Sequence, residues 1–382
     1  MGPLIPSCIS DSEETGTLKR KKKNKILCLL TALLLAGGLL LNLCLPAGVY
    51  SDSERRSLAA MPQLSWAGIW SGRFMSGFEA HVTDTFPFRD LLRSVKALTA
   101  AEIFHRQDNN GIYVAQGHIS SMEYPVDRDS CRRCTERFRH ICETYLTEQN
   151  RVFFSVIPDK NAFLAKDSGH LALDYAAFEK QMEDMAEFAQ YVRISDLLEK
   201  DDYYRTDPHW RQERIMDVAE RLADSMNAEL TDDWEIRLLE RDFYGAYYGQ
   251  AALPLSPDQL YYLTGASMED CEVYDWQNEA QIPVYDSEKA MGRDPYEMFL
   301  SGSLSLITID NPQAPADKRL ILFRDSFGSS LAPLLISGYG KITLVDIRYI
   351  HPDLLGQFVD FKGCDVLFLY STLVLNHGET LK

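Results

Sequence analysis

The chain has 382 residues, 46% of them hydrophobic and 25% charged, which is the balance of a folded globular protein with enough apolar residues for a sizeable core. Its formal charge of -17 is unevenly spread, because residues 1–25 carry a net +3 and leave -20 for the rest. So acidic a body lacks the clustered Lys and Arg that grip polyphosphate, which argues against a nucleic-acid partner.

The first element is a basic tail, residues 1–25, ending in Lys19, Arg20, Lys21, Lys22, Lys23 and Lys25. From Ile26 to Leu45 follows ILCLLTALLLAGGLLLNLCL, an uncharged run of 20 residues. At about 1.5 Å per residue it matches the ~30 Å hydrocarbon core of a bilayer. No further cation occurs until Arg55, so the positive-inside rule predicts a cytoplasmic N-terminus, a transmembrane anchor over 26–47 and everything beyond outside the cytoplasm. A cleaved signal peptide is the rival, with small residues at Ala47 and Gly48, although the run exceeds the usual ~7–15 residue signal core. Cys44 in LNLC lacks the small neighbours that a lipidation site would need.

Residues 48–110 form a lead-in module of polar pieces and amphipathic stretches, with a helix, a turn at Phe86-Pro87-Phe88 and a second helix. An α/β domain over 111–382 comes next. Its expected elements are a strand in GIYVA, a helix over 130–148, a buried strand RVFFSVIP (151–158), a helix near 175–190 and a strand YVRISDL (191–197). A helix over 211–228, RLILFRDSF (319–327) as a strand, a helix over 328–337, KITLVDI (341–347) and DVLFLY (365–370) complete the series. Strands alternating with helices predict βαβ units and a mostly parallel sheet in a three-layer α/β fold. The stretch 240–300, rich in Tyr, Pro, Gly and Asp, reads as a loop-rich insertion over the sheet edge.

Five cysteines fall beyond the anchor: Cys131, Cys134, Cys142, Cys271 and Cys364. An odd number is no disulfide framework, and the single C-x-x-C has no partner pair to complete a metal set, so small buried residues or one local disulfide is the plainer reading. No H-E-x-x-H or comparable ligand spacing occurs, and no cofactor or metal is expected.

Two segments have the residue types for chemistry. In YYRTDPHW (203–210), Asp207 and His209 are two apart, a spacing that lets the carboxylate take the Nδ1 proton and leave Nε2 as a base. The competing role is a helix N-cap at Thr206 or Asp207. In LFRDSFGSS (322–330) a hydrophobic strand ends at Asp325-Ser326 and turns through Gly328 into a helix. Ser326 would then project at the carboxyl end of the sheet, where the helix N-terminus offers N–H groups to an oxyanion. Here too Asp325 or Ser326 could simply cap the helix. Taken together, a serine, a base and an orienting carboxylate are what covalent acyl transfer requires.

YYRTDPHW resembles the signature of the bacterial DHHW family. With IPDK (157–160) and FRDSFGSSLAPLL (323–335) the chain is similar to the wider alginate O-acetyltransferase group of SGNH-hydrolase-like proteins. SERRSLAAMPQLS (53–65), FPFRD (86–90), YGAYYGQAAL (244–253), DPYEMFLSG (294–302) and LVDIRYI (344–350) extend the likeness over about residues 50–375. The resemblance implies an SGNH-hydrolase-like three-layer α/β/α domain in which the Asp-x-His element precedes the serine, as a circular permutation would place it. It assigns Ser326 as nucleophile, His209 as base and Asp207 as its orienter. Pro208, Arg205 and Arg211 depart from the name-giving motif, outside the triad. Ser303 stands where an Asn would serve the oxyanion hole, and Arg324 where Gly or Lys is common. The implied function is O-acetylation, or de-acetylation, of a cell-envelope polysaccharide, with a multi-spanning membrane O-acyltransferase as the acetyl-supplying partner. Tyr244, Tyr247, Tyr248, Tyr261 and Tyr262 could stack on sugars or pack internally. The alternative is a glycan-binding or scaffolding protein that keeps the fold without efficient chemistry.

Overall fold

The computed structural model describes residues 10–44, 48–51 and 53–382. The first nine residues with Cys8, the end of the expected anchor at Leu45 to Ala47, and Asp52 lie outside the described residues. The chain divides into two units, Met1–Asp52 with Arg56–Arg93, and Ser53–Arg55 with Ser94–Lys382.

In the first unit the long helix Ser10–Cys44 contains a stretch, Arg20–Asn42, whose length and mean hydropathy of 2.0 suffice to cross a membrane. Two short helices follow, Trp66–Trp70, capped by the Ser65 hydroxyl on Gly68 N–H at 3.1 Å, and Arg73–Asp84. The turn at Phe86 to Phe88 passes through a left-handed Phe88 (φ 59°) into the helix Arg89–Leu98. Asp84 fixes this turn. It pairs bidentately with Arg56 at 2.6 and 2.7 Å, accepts Ala59 N–H at 2.9 Å, and is held well below the usual carboxylate range chiefly by the Arg56 hydrogen bonds.

The second unit is built on an eight-stranded sheet: β1 (Arg151–Ile157), β2 (Gln190–Tyr191), β3 (Glu272–Asp275), β4 (Ala280–Ile282), β5 (Leu306–Asp310), β6 (Arg319–Arg324), β7 (Lys341–Val345) and β8 (Asp365–Ser371). The spatial order is β4-β3-β5-β7-β6-β8-β1-β2. The five strands from β7 to β2 are parallel, while β5, β3 and β4 add on antiparallel. Successive side chains of a strand point to opposite faces, so the continuous apolar runs of β6 and β8 call for a packed layer on each side. Leu320 and Leu322 of β6 and Leu367 and Leu369 of β8 enter a core shared with Val218 and Leu222 of helix Met216–Ser225. Ile321, Phe323, Val366 and Phe368 point the other way, into a core shared with Phe138 of helix Arg128–Tyr145 and Phe178 of helix Tyr175–Met185. This is a three-layer α/β/α arrangement, as the sequence predicts.

Several expectations need correcting. GIYVA is a strand, but Ile112–Ala115 pairs with His118–Ser121 in a separate hairpin outside the main sheet. YVRISDL contributes just the end of β2, because after Val192 N–H reaches Phe154 O at 2.8 Å the chain leaves the edge. The stretch 240–300 is not a run of loops. It carries most of a two-stranded antiparallel ribbon, Glu235–Phe243 with Asp258–Thr264, the helix Ala246–Ala251, and the strands β3 and β4 that extend the sheet. Helix 328–337 is α-helical only over Phe327–Leu331 and continues as a 3-10 turn, Ala332–Gly338, because Pro333 cannot supply the amide that would bond Ser329 O. The described cysteines beyond the anchor are all free, and burial pushes the thiols of Cys131 and Cys134 up to about 12 and about 11.

Candidate active site

The carboxyl edge of the parallel strands carries the residues of interest. Lys160 lies just past β1 and Ser326 just past β6, with β8 between those strands. Asp207 and His209 lie off the strand ends. They sit in a loop pinched by a bridge between Tyr203 and Trp210, with Tyr204 N–H donating to His209 O at 3.1 Å. The loop is pinned to the sheet from below. Tyr203 OH donates to Pro158 O at 2.5 Å, and the buried Lys160 ammonium donates to the carbonyls of Tyr204, Arg205 and Asp207 at 2.7, 3.2 and 2.8 Å. Burial pushes Lys160 down to about 7 against the pull of Asp207, Asp258 and Asp159. From the other side Asp258 takes the N–H groups of Arg205 and Thr206 at 2.9 and 2.8 Å, and Trp210 Nε1–H reaches Ser330 Oγ at 2.9 Å.

So placed, the three sequence-selected side chains converge. His209 Nδ1 lies 2.6 Å from Asp207 Oδ1, and His209 Nε2 lies 2.7 Å from Ser326 Oγ. Burial raises the Asp207 carboxyl, but the His209 hydrogen bond and charge, Arg55 and the Ala246 N–H together hold it well below the usual range. It is therefore ionised and can only accept, which assigns the proton to Nδ1 and leaves Nε2 to receive the Ser326 hydroxyl. The capping roles fail for Ser326, which makes no side-chain cap bond, and for Asp207, which lies five residues before the next 3-10 turn, Gln212–Arg214. Asp325 takes the structural part. Its Oδ1 accepts Phe327 N–H at 3.0 Å and its Oδ2 accepts Ser371 N–H at 2.8 Å, tying β6 to β8.

The helix start does not offer the set of amides expected for an oxyanion. Phe327 N–H is taken by Asp325 Oδ1, Gly328 N–H by Asp325 O at 3.1 Å and Ser329 N–H by Ser326 O at 3.2 Å. Ser303 is exposed, after three left-handed residues, Leu300, Ser301 and Gly302. Arg324 is fully buried, its stem against Gly328 and its guanidinium 3.5 Å from the buried Asp346.

Three further residues complete the surroundings, and residue-by-residue reading of motifs passed over them. Tyr296 stacks on the His209 imidazole with centroids 3.9 Å apart and planes at 12°, its hydroxyl 2.8 Å from Ser330 Oγ. Arg55, left-handed at φ 52°, sets its guanidinium 2.7 Å from Asp294 and 3.8 Å from Asp207. Gly245 lets the chain close over Asp207, because a Cβ there would overlap Asp207 Cβ and the Thr206 carbonyl; the next residue, Ala246, donates its N–H to Asp207 Oδ2 at 2.8 Å. Arg55, Gly245 and Tyr296 fall in the SERR, YGAYYG and DPYEMFLSG stretches that carry the family resemblance, which was the available signal. A cavity of about 780 Å³ opens elsewhere, between Glu235, Tyr262, Cys271 and Ile282, and none of the converging residues lines it. Among the described residues no group of three or more His, Cys, Asp or Glu could hold a metal ion.

No family model matches the chain, and no curated protein does. Solved structures do match. A DHHW family protein from Eubacterium siraeum DSM 15702 superposes with a TM-score of 0.58 at 19% identity, over 70% of this chain and 93% of that one. The chain has the fold of a DHHW family protein. Bacillus cereus PatB1, solved with a sulfonyl adduct, matches the DHHW-like fold with a TM-score of 0.53 at 13% identity, over 69% of this chain and 97% of its own. A second PatB1 structure gives 0.54 at 13% identity. The SGNH-hydrolase-like class expected from the sequence is thus the fold the chain adopts.

Proposed function

We propose that the chain is an extracytoplasmic, serine-dependent O-acetyltransferase or acetylesterase acting on a cell-envelope polysaccharide. The basic tail 1–25 would lie in the cytoplasm, 26–47 in the membrane, and the lead-in module 48–110 and domain 111–382 outside. The observation that carries this reading is the unbroken hydrogen-bond chain from Asp207 through His209 to Ser326, with Ser326 free of any capping duty.

In the proposed reaction Ser326 Oγ attacks the acetyl carbonyl of a donor ester while its proton passes to His209 Nε2. The tetrahedral intermediate expels the donor alcohol, which takes that proton, and acetyl-Ser326 remains. A sugar hydroxyl, or water, then attacks the acyl carbon, gives its proton to Nε2, and Ser326 departs with the proton returned. Asp207 keeps the imidazole in the tautomer that can do this and stabilises the imidazolium. Because donors are scarce outside the cytoplasm, the reading includes a multi-spanning membrane O-acyltransferase as partner.

The test is turnover of an aryl acetate, and acetyl transfer to an oligosaccharide, by the purified chain. Ser326→Ala should abolish both, and His209→Ala should lower them by about 10²–10⁴. A non-catalytic glycan-binding role is favoured by one observation, the engagement of the Phe327, Gly328 and Ser329 amides. An inactive wild type, with Ser326→Ala binding oligosaccharide as well as wild type does, would establish that role instead.

A further inference from the structure

The first unit leaves an apolar surface uncovered. Helix Arg73–Asp84 places Phe74, Met75, Phe78 and Val82 at helical spacing, yet none of its residues is buried. The preceding helix exposes Trp66 by 78% and Trp70 by 85%, and the turn and next helix expose Phe86, Phe88, Leu91 and Leu92. So many large apolar side chains left exposed within one short segment mark a binding surface rather than ordinary scatter.

The occupant is indicated by what the patch adjoins. Phe86 touches the long apolar helix, for a Cβ on Gly38 would lie 3.3 Å from Phe86 Cζ. Gly38 is within the Arg20–Asn42 stretch, about one helical turn before its end. Residues 61–93 carry three arginines and three acidic residues, so the patch has no net charge with which to seek an anionic partner. Phe86 lies against the end of a membrane-length helix, and with the exposed Trp66, Trp70 and Phe88 of the same segment it has the composition of an interfacial belt. We propose that the segment 61–93 lies in the membrane interface, its aromatic and aliphatic side chains among the lipid headgroups and upper acyl chains, as an amphipathic helix does. This rests on the reading of 26–47 as a retained anchor.

The full chain, reconstituted into phosphatidylcholine vesicles with and without acyl-chain-brominated lipid, tests it. Flotation with the vesicles after alkaline extraction checks the anchor separately. Brominated lipid should quench the tryptophan emission of wild type about twice as strongly as that of the Trp66→Phe/Trp70→Phe variant. Aqueous iodide should quench the two alike, and high salt should change neither result. A chain that floats but shows equal bromolipid quenching in both proteins overturns the interfacial seat while leaving the anchor intact. Iodide protection of Trp66 and Trp70 without bromolipid quenching also overturns it, because a protein surface then covers the patch. Failure to float removes the anchor reading itself. Circular dichroism of the double variant confirms that the comparison is between folded proteins.

Discussion

Arg55 and Asp207 face each other across 3.8 Å, and the same guanidinium stands 2.7 Å from Asp294. Asp294 accepts Tyr296 N–H at 3.1 Å and so caps the turn whose tyrosine stacks on His209. One cation thus serves both the carboxylate behind the base and the residue that walls it. Burial and the nearby Asp207 push Asp294 upward, with Arg55 opposing. Arg55→Gln leaves two close carboxylates without their counter-charge and should cost on the order of 3 kcal/mol in stability. The added change Asp294→Asn should recover much of that loss, measured by thermal unfolding. Additive losses in the double variant would show that the two residues are not coupled.

Tyr296 acts through its ring face and its hydroxyl separately. Tyr296→Phe keeps the stack on His209 and gives up the bond to Ser330, which should cost about 1 kcal/mol in stability and leave aryl acetate turnover within about threefold. Tyr296→Ala opens the wall and frees the imidazole to rotate, and turnover should fall by more than about tenfold. Equal turnover in both variants would mean that the stack does not position the base.

Gly245 has ordinary extended dihedrals (φ -70°, ψ 173°), so its requirement is one of space. Gly245→Ala should push the loop off Asp207 and break the Ala246 N–H bond, which should lower kcat with little change in KM. Its effect should not add to that of Asp207→Asn, because both act through the same carboxylate. Kinetics of the double variant provide the check.

Lys160 gives a pH signature. Its folded value is lowered to about 7 from an unfolded 10.5, so above pH 7 the unfolded chain binds the additional proton. The stability tied to this group is fully present above the unfolded value and is lost as pH falls towards 7, with a slope of at most about 1.4 kcal/mol per pH unit. Wild type should therefore gain on Lys160→Met in thermal stability between pH 7 and 9. A constant difference across that range would contradict the shift.

The sheet was legible where strands are continuous apolar runs, as in RLILFR and DVLFLY, because burial on both faces leaves no other pattern. It was illegible where pairing is local. The ribbon strand Glu235–Phe243 is mostly exposed and charged, and β4 is only three residues long, so neither shows a buried face in the sequence. The reactive trio was readable from residue type and motif order. Lys160 was visible only as part of IPDK, since a lysine that holds a distant loop by backbone carbonyls has no partner side chain to announce it. Arg55 reaches Asp207, and Tyr296 reaches His209, only through the folded packing.

The central claim is that Ser326 is a nucleophile activated by His209. Intact-mass analysis after treatment with a sulfonyl fluoride, followed by peptide mapping, tests it most directly. The account predicts a single adduct on the peptide containing Ser326, formed about 10²-fold or more slowly in His209→Ala and absent from Ser326→Ala. No adduct on folded wild type, or an adduct that forms equally fast without His209, would contradict it.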